Sequence, residues 1–327
     1  MKQFNWGILA PGRIANKFAE GLAVIPDAIR YAVGSRDIGR AKDFADKFGF
    51  EKTYGSYAEL AEDPNVDIIY VATPHTFHEE AAILCLKNGK AVICEKPFAV
   101  NERQAERMIQ CARDNNVFLM EAMWTRFLPV MVKLRELLDG NVIGKVGLVS
   151  ADFGFRSNLN PEGRLFNPAL AGGSLLDVGV YNLSMCNMVY KQEPKSVKSQ
   201  MRIGSTGVDE ECSVMLQYEE GQSALLFSAI RLASRHDAII VGEMGRIEIP
   251  SYWHGTNLKV EAKDLNEEFH LPFEASGYQF EALEVMNCLE KGLKESPLMS
   301  QQDSLNIVRT MDLIRKENKL RYPCDED

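Results

Sequence analysis

Among the side chains of this 327-residue sequence that can handle protons, Lys96, Asp177 and Tyr181 stand in segments that could bring them to one site. Glu95-Lys96-Pro97 follows directly on the apolar run Ala91-Val92-Ile93-Cys94, which puts a lysine where a buried strand should end. Open α/β sheets bind ligands outside the carboxyl ends of their strands, so such a lysine faces a crevice. The proline fixes its own φ and disfavours helical backbone at Lys96, holding the side chain in one direction. The alternative is a strand-end turn with a solvated Glu/Lys pair.

Asp177 and Tyr181 lie in Gly172-Gly173-Ser174-Leu175-Leu176-Asp177-Val178-Gly179-Val180-Tyr181-Asn182. If this segment is helical, the two share one face and could converge with Lys96 across a domain interface. A helix N-terminal carboxylate beside a half-buried tyrosine is the commoner fate of such a pair. Carbonyl reduction gives all three groups a task, because hydride leaves a nicotinamide while a proton must reach the developing alkoxide. A phenol with an ordinary pKa of about 10 is a poor acid–base group at neutral pH, and a neighbouring ammonium favours its phenolate. Lys96 would supply that charge and a donor to the substrate oxygen, and Asp177 would orient a substrate hydroxyl or hold the lysine.

The elements that must position these groups show in the hydrophobic pattern. Up to residue 121, apolar runs of strand length at 6–10, 29–35, 52–54, 68–72, 91–95 and 118–121 alternate with helical periods at 14–22, 39–48, 57–61, 77–88 and 102–115. That is the pattern of a parallel sheet covered on both faces, an α/β Rossmann domain over 1–122. Residues 123–327 read differently: helices at 128–138 and 176–190, a strand at 145–155, several strands over 196–260, then helices at 279–292 and 303–318. This predicts an α+β domain built on one open, mainly antiparallel sheet, with a hairpin at Glu219-Glu220-Gly221-Gln222.

The turn after the first strand places Ala10, Gly12 and Ala15 where a dinucleotide fingerprint has its three small residues, so the first glycine is missing. Ala10, Gly12, Arg13 and Ile14 still open a helix whose N-terminal N–H groups favour a phosphate; the alternative is a glycine turn without a ligand. At the end of the second strand, Ser35 and Arg36 stand where an NAD enzyme presents an acid to the ribose. A forked cation suits a 2′-phosphate, which predicts NADP over NAD, with Arg40 and Lys42 as possible helpers. A register shift of one residue would instead make Asp37 a ribose ligand and Arg36 a solvated charge.

Thr73-Pro74-His75, with His78 beyond, lies at the end of the fourth strand, facing the same crevice. No cysteine or acidic triplet accompanies the two histidines, so a metal is not expected and a place near the cofactor or at the next helix N-terminus is.

A net charge of −9 and a pI near 5.3 argue against bulk electrostatic binding of nucleic acid or an anionic membrane. Seven scattered cysteines without a C-x-x-C pair are the usage of a reducing compartment. The chain reaches its first apolar strand at once and shows no secretion signal or membrane span, so a cytoplasmic location is expected.

Taken in order, the N-terminal turn, Glu95-Lys96-Pro97 and Asp177-x-Gly179-x-Tyr181 resemble the glucose–fructose oxidoreductase/inositol dehydrogenase/MocA (Gfo/Idh/MocA) family over nearly the whole chain. Tyr54-Gly55-Ser56-Tyr57-Ala58-Glu59-Leu60, Asp63-Pro64-Asn65-Val66, Met120-Glu121-Ala122-Met123-Trp124-Thr125-Arg126-Phe127 and Lys294-Glu295-Ser296-Pro297 are similar to its dimeric dihydrodiol dehydrogenase (NADP-dependent D-xylose dehydrogenase) subgroup. The resemblance implies that Lys96 is the essential lysine, Tyr181 the acid–base residue, Asp177 its partner and Arg36 the adenosine phosphate ligand. It also implies cofactor contacts at Glu95 and Lys96 and a substrate pocket with Trp124, Arg126, Phe153 and Trp253, although each aromatic could also be core or interface. Much of the wider family has histidine where this chain has Tyr181, and the Pro250-Ser251-Tyr252-Trp253-His254 neighbourhood departs most from the subgroup. The implied substrate is a sugar, polyol or cyclic trans-diol, and the implied assembly a homodimer through the C-terminal sheet. A short-chain dehydrogenase is excluded, since no Tyr here is followed four residues later by Lys. The rival class is a catalytically silent NAD(P)-binding sensor or scaffold, which would have no use for Lys96, Asp177 and Tyr181 together.

Overall fold

The computed structural model describes residues 2–325. Its described residues form two compact units, one of 2–127 with Glu274–Leu305, the other of Leu128–Phe273 with 306–325. The hydrophobic pattern alone places the whole of 123–327 in the second domain, whereas Glu274–Leu305 returns to the first. The returning segment is amphipathic and carries no composition change to mark the switch.

The first unit is built on β1 (Phe4–Leu9), β2 (Ala28–Gly34), β3 (Lys52–Tyr54), β4 (Ile68–Val71), β5 (Ala91–Glu95) and β6 (Leu119–Ala122). All pair in parallel, in the order β3-β2-β1-β4-β5-β6. Strands such as β4 and β5 are buried along their full length, as strands covered on both faces must be. The crossovers are α1 (Arg13–Leu22), α2 (Ile38–Phe48), α3 (Tyr57–Glu62), α4 (His78–Lys87) and α5 (Glu102–Asp114). Short polar side chains start several of them: Asp37 caps α2, Ser56 caps α3 and Asn101 caps α5. The order reverses between β1 and β4, which makes the ends of those strands the switch-point crevice.

The second unit contains α6 (Pro129–Asp139), β7 (Val146–Gly154), α7 (Val180–Tyr190), β8 (Ser196–Ile203), β9 (Asp209–Gln217), β10 (Ser223–Ala229), β11 (Ala238–Gly242), β12 (Gly245–Ile249), β13 (Asn257–Ala262) and β14 (Asn266–His270). Its sheet runs β14-β13-β12-β11-β7-β10-β9-β8, and every pair is antiparallel except β7 with β10. The expected hairpin joins β9 to β10, closed by Tyr218 N–H to the Gln222 carbonyl at 2.9 Å. α7 packs on β7 and β10. On β9, Cys212, Val214 and Leu216 are buried while Ser213, Met215 and Gln217 are exposed, so one face of the sheet meets the helix layer and the other is open. Of the last two helices, α8 (Gln279–Glu290) belongs to the first unit, and α9 (Gln301–Glu317) is divided between the two.

Candidate active site

At the switch point Ala10 has φ of 70°, the left-handed conformation that glycine adopts without strain. Alanine pays roughly 1–2 kcal/mol for it, so the turn keeps the shape of the missing glycine at an energetic cost. Gly12 follows, and a Cβ built there would meet nothing nearer than the Ala10 carbonyl at 3.9 Å. α1 follows Gly12, its N-cap, without a side-chain cap and with no acid in its first turn. The end of β4 adds a buried Thr73 hydroxyl that has no hydrogen-bond partner. An open cradle, an uncapped helix start and an orphaned hydroxyl at one switch point fit a dinucleotide phosphate.

Beyond β2, Ser35 is buried and its Oγ accepts the Asp37 N–H at 3.1 Å. The Asp37 carboxylate accepts the N–H groups of Gly39 at 2.8 Å and Arg40 at 3.4 Å, which occupies it as the α2 cap. Arg36 is exposed, with its guanidinium 5.9 Å from the Phe77 ring. The cation thus lies beside an aromatic ring that no motif in the sequence points to.

Lys96 emerges half-buried at the end of β5 and is joined to Pro97 by a cis peptide bond. Its N–H donates to Glu95 Oε2 at 3.1 Å, while Glu95 Oε1 accepts from the Tyr70 hydroxyl. Glu281 of α8 is fully buried with neither carboxyl oxygen hydrogen-bonded, and burial, with the Glu95 charge adding, pushes its carboxyl well up. His78 begins α4 with Nδ1 2.9 Å from the Pro97 carbonyl and Nε2 3.0 Å from the Thr73 carbonyl, so its ring ties the β4 and β5 ends together. Burial lowers its pKa to about 4, against the pull of those carbonyls. His75 is buried, edge-on to His78 at 5.8 Å.

Trp124 stacks on Tyr278 at 4.6 Å. Arg126 is 4% exposed and donates to the Leu298 carbonyl at 3.1 Å, with Asp303 at 3.6 Å. Its guanidinium is thereby engaged within the first unit.

In the second unit, a turn of π-helix (Leu175–Gly179) precedes α7. The wider turn replaces the uninterrupted α-helical spacing expected between Asp177 and Tyr181, and π-turns are frequent at functional sites. Asp209, from β9, accepts the Leu175 N–H at 2.7 Å and the Ser174 hydroxyl at 2.8 Å, capping this helix start from a distant strand. Only glycine allows the approach: a Cβ on Gly173, whose φ is 117°, would run into the Asp209 carboxylate. Burial pushes the Asp209 carboxyl up to about 7, against the Ser174 and Leu175 hydrogen bonds.

Asp177 accepts from Arg164 at 2.7 Å. Tyr181 is buried, with its ring 5.3 Å from Phe153, and Phe153 stacks on Trp253 at 4.9 Å and 17°. The unit thus brings Tyr181, Phe153 and Trp253 into one aromatic cluster. In the divergent segment, Tyr252 bonds through its hydroxyl to Asn182 Oδ1, next to Tyr181. Arg164, Asp209 and Tyr252 have no signal in the sequence because each lies far along the chain from its partner, with no periodicity to announce it. Glu281 sits on a helical period and gave no signal beyond its charge.

A six-stranded parallel sheet reversing at β1/β4, with a phosphate-type turn there, defines a dinucleotide-binding protein of the Rossmann class. Residues 4–123 match the model of the oxidoreductase family with NAD-binding Rossmann fold, and residues 131–248 match the GFO/IDH/MocA C-terminal domain. The chain is 41% identical to a trans-1,2-dihydrobenzene-1,2-diol dehydrogenase of Xenopus laevis over 97% of its length and 99% of that relative. The 3-ketoreductase KijD10 of Actinomadura kijaniata, solved with TDP-benzene and NADP, matches with a TM-score of 0.82 and 25% identity over 97% of this chain and 98% of its own. An aldose-aldose oxidoreductase of Caulobacter crescentus shares the fold with a TM-score of 0.89 and 22% identity over 97% and 98% of the two chains. The chain belongs to the Gfo/Idh/MocA oxidoreductase family.

Proposed function

We propose that the protein is an NADP-dependent dehydrogenase/reductase that moves a hydride between the nicotinamide and a secondary alcohol or carbonyl of a sugar or cyclic trans-diol. The observation that carries this reading is Lys96, held half-buried at the carboxyl end of β5 beside the switch-point crevice. The dihydrodiol dehydrogenase relatives and the NADP-bound ketoreductase support the substrate class and the cofactor.

NADP, when bound, supplies the hydride acceptor or donor. The backbone of Ala10, Gly12, Arg13 and Ile14 would hold its pyrophosphate at the α1 N-terminus, and Ser35 and Arg36 its 2′-phosphate. Thr73, Pro74, His75 and Glu95 would line the rest of its path, while His78, expected there from sequence, is fully buried between the Thr73 and Pro97 carbonyls and would hold the strand ends behind it. Lys96 places positive charge at the substrate oxygen, where alkoxide character develops during hydride transfer. Tyr181 takes the hydroxyl proton in oxidation and returns it in reduction, and Asp177 orients a substrate hydroxyl. Trp124, Arg126, Phe153 and Trp253 belong to the substrate region in the same reading.

A homodimer through the open sheet face is part of the proposal, supported by the cross-strand pair Met215 and Leu225, 50% and 49% exposed on that face. None of the seven cysteines is joined to another in a disulfide, the usage of a reducing compartment, and a cytoplasmic location is part of the proposal. The reaction is tested by assaying pyranoses, inositols and trans-diols for NADPH formation, with Lys96→Met and Tyr181→Phe alongside. Turnover should fall by about 100-fold or more in both variants. Full turnover in both would overturn the chemistry, and NADP binding without any substrate turned over would favour a sensor or scaffold.

A further inference from the structure

His236 takes no part in the chemistry above, yet it stands within the aromatic cluster in a strained backbone conformation. Its φ is 64°, a left-handed value that histidine visits more often than most residues but still at a cost. Both of its backbone groups are tied down. The N–H donates to Asp152 Oδ2 at 2.8 Å, and the carbonyl accepts the Tyr252 N–H at 2.9 Å.

The ring is fixed as firmly. Nε2 lies 2.6 Å from the Gly154 carbonyl oxygen, and Nδ1 lies 3.2 Å from Trp253 Nε1. An indole N–H only donates and a carbonyl only accepts. The two neighbours therefore select a single species, the neutral imidazole with its proton on Nε2 and its lone pair facing Trp253. A protonated ring or the other tautomer would turn an N–H against the indole N–H.

Trp253 needs such a restraint because it is only partly buried. One face stacks on Phe153 at 4.9 Å, and the His254 ring stands edge-on at 4.2 Å. Stacking on Phe153 sets the plane of the indole, and the directional hydrogen bond to Nδ1 fixes where the N–H edge lies within that plane. Phe153 also lies 4.9 Å from the His236 ring and 5.3 Å from Tyr181, so an indole fixed by His236 has a fixed relation to the phenol.

We propose that His236 is a positioning residue for substrate selection: in its Nε2-protonated neutral form it locks Trp253 against Phe153 as a rigid wall beside Tyr181. A wall of this kind recognises the flat, C–H-rich face of a pyranose or cyclic diol and discriminates against open-chain alcohols of the same oxidation level. The inference rests on the reading of Tyr181 as the acid–base residue.

The test is a double-mutant cycle on the full chain with His236→Asn and Trp253→Phe. Asparagine tolerates the left-handed backbone but is too short to reach both partners, and phenylalanine keeps the stack but lacks the N–H donor. H236N should raise KM for a ring substrate about five- to tenfold with kcat held within about twofold, the loss of one hydrogen bond's orienting effect. Added to W253F, it should change KM by less than about twofold, because the bond is already gone. In protein labelled with ¹⁵N-tryptophan, the indole N–H resonance that disappears in W253F should shift in H236N.

An unmoved resonance, an unchanged KM in H236N, or effects that multiply in the double variant would each overturn the proposal. If H236N does not fold, W253F decides, since it leaves the His236 backbone intact and an unchanged KM there would overturn the idea. A shifted resonance in a protein that turns over no alcohol counts against the reaction assigned to Tyr181 while supporting the His236–Trp253 lock.

Discussion

Arg164 and Asp177 form an ion pair of 2.7 Å in which the two ends are unequally buried, the arginine side chain 43% exposed and the aspartate 8%. The exposed partner can be removed cheaply in itself, but the carboxylate it leaves stays largely out of water. Arg164→Ala should therefore cost about 1–2 kcal/mol, more than an ordinary surface pair, and should lower kcat/KM if Asp177 orients substrate. Arg164→Lys should recover the charge but not the forked geometry, giving an intermediate result in urea denaturation and kinetics.

In the proposed function, cofactor choice turns on Arg36. With Asp37 engaged in capping α2, the cation beside Phe77 is the group at this strand end suited to a 2′-phosphate. Arg36→Ala should weaken NADP binding about 10- to 100-fold and change NAD binding by less than about threefold. Calorimetric titration of both cofactors checks this, and tighter binding of NAD by the unaltered protein would remove the NADP assignment.

Asp209 makes stability depend on pH. Its carboxyl is pushed up to about 7 by burial, so between its unfolded value of about 4 and 7 the folded chain holds a proton that the unfolded chain has lost. The folded state binds more protons in that window, and this group's contribution to stability falls as pH rises through it, then stays level. Asp209→Asn keeps an acceptor for the Leu175 N–H and removes the ionisation. The variant should gain stability relative to the parent from pH 4 to 7, on the order of a few kcal/mol across the window. Urea denaturation at several pH values reads the difference, and a constant offset would show that Asp209 does not titrate there.

Assembly is open to direct measurement. Met215 and Leu225 face each other across β9 and β10 on the open side of the sheet. Sedimentation should find a dimer at micromolar concentration, and Leu225→Glu should shift it to monomer by placing a charge in an apolar contact. A monomeric parent protein would remove the proposal.

Much of the first unit was legible in the sequence because its information is local. Apolar runs, helical periods, and caps such as Asp37, Ser56 and Asn101 act within a few residues, so the alternation to β6 could be read with only small shifts at the ends. The class of the second sheet was legible for the same reason. Its strand order was not, nor was the parallel pairing of β7 with β10, since pairing depends on what each strand meets after the chain has travelled far.

The same division runs through the candidate site. The sequence by itself determined that a lysine stands at a strand end, that a small-residue turn opens a helix, and that an arginine replaces an acid after β2, since each depends only on neighbours along the chain. The tertiary structure decided that Arg164 holds Asp177, that Asp209 caps the turn before Tyr181, and that His236 holds Trp253 against Phe153. These partners are separated by 13, 34 and 17 residues. Burial made such pairings decisive: removed from water, a carboxylate, an N–H group or an imidazole must find its partner in the protein, and only the folded chain determines which one lies within reach.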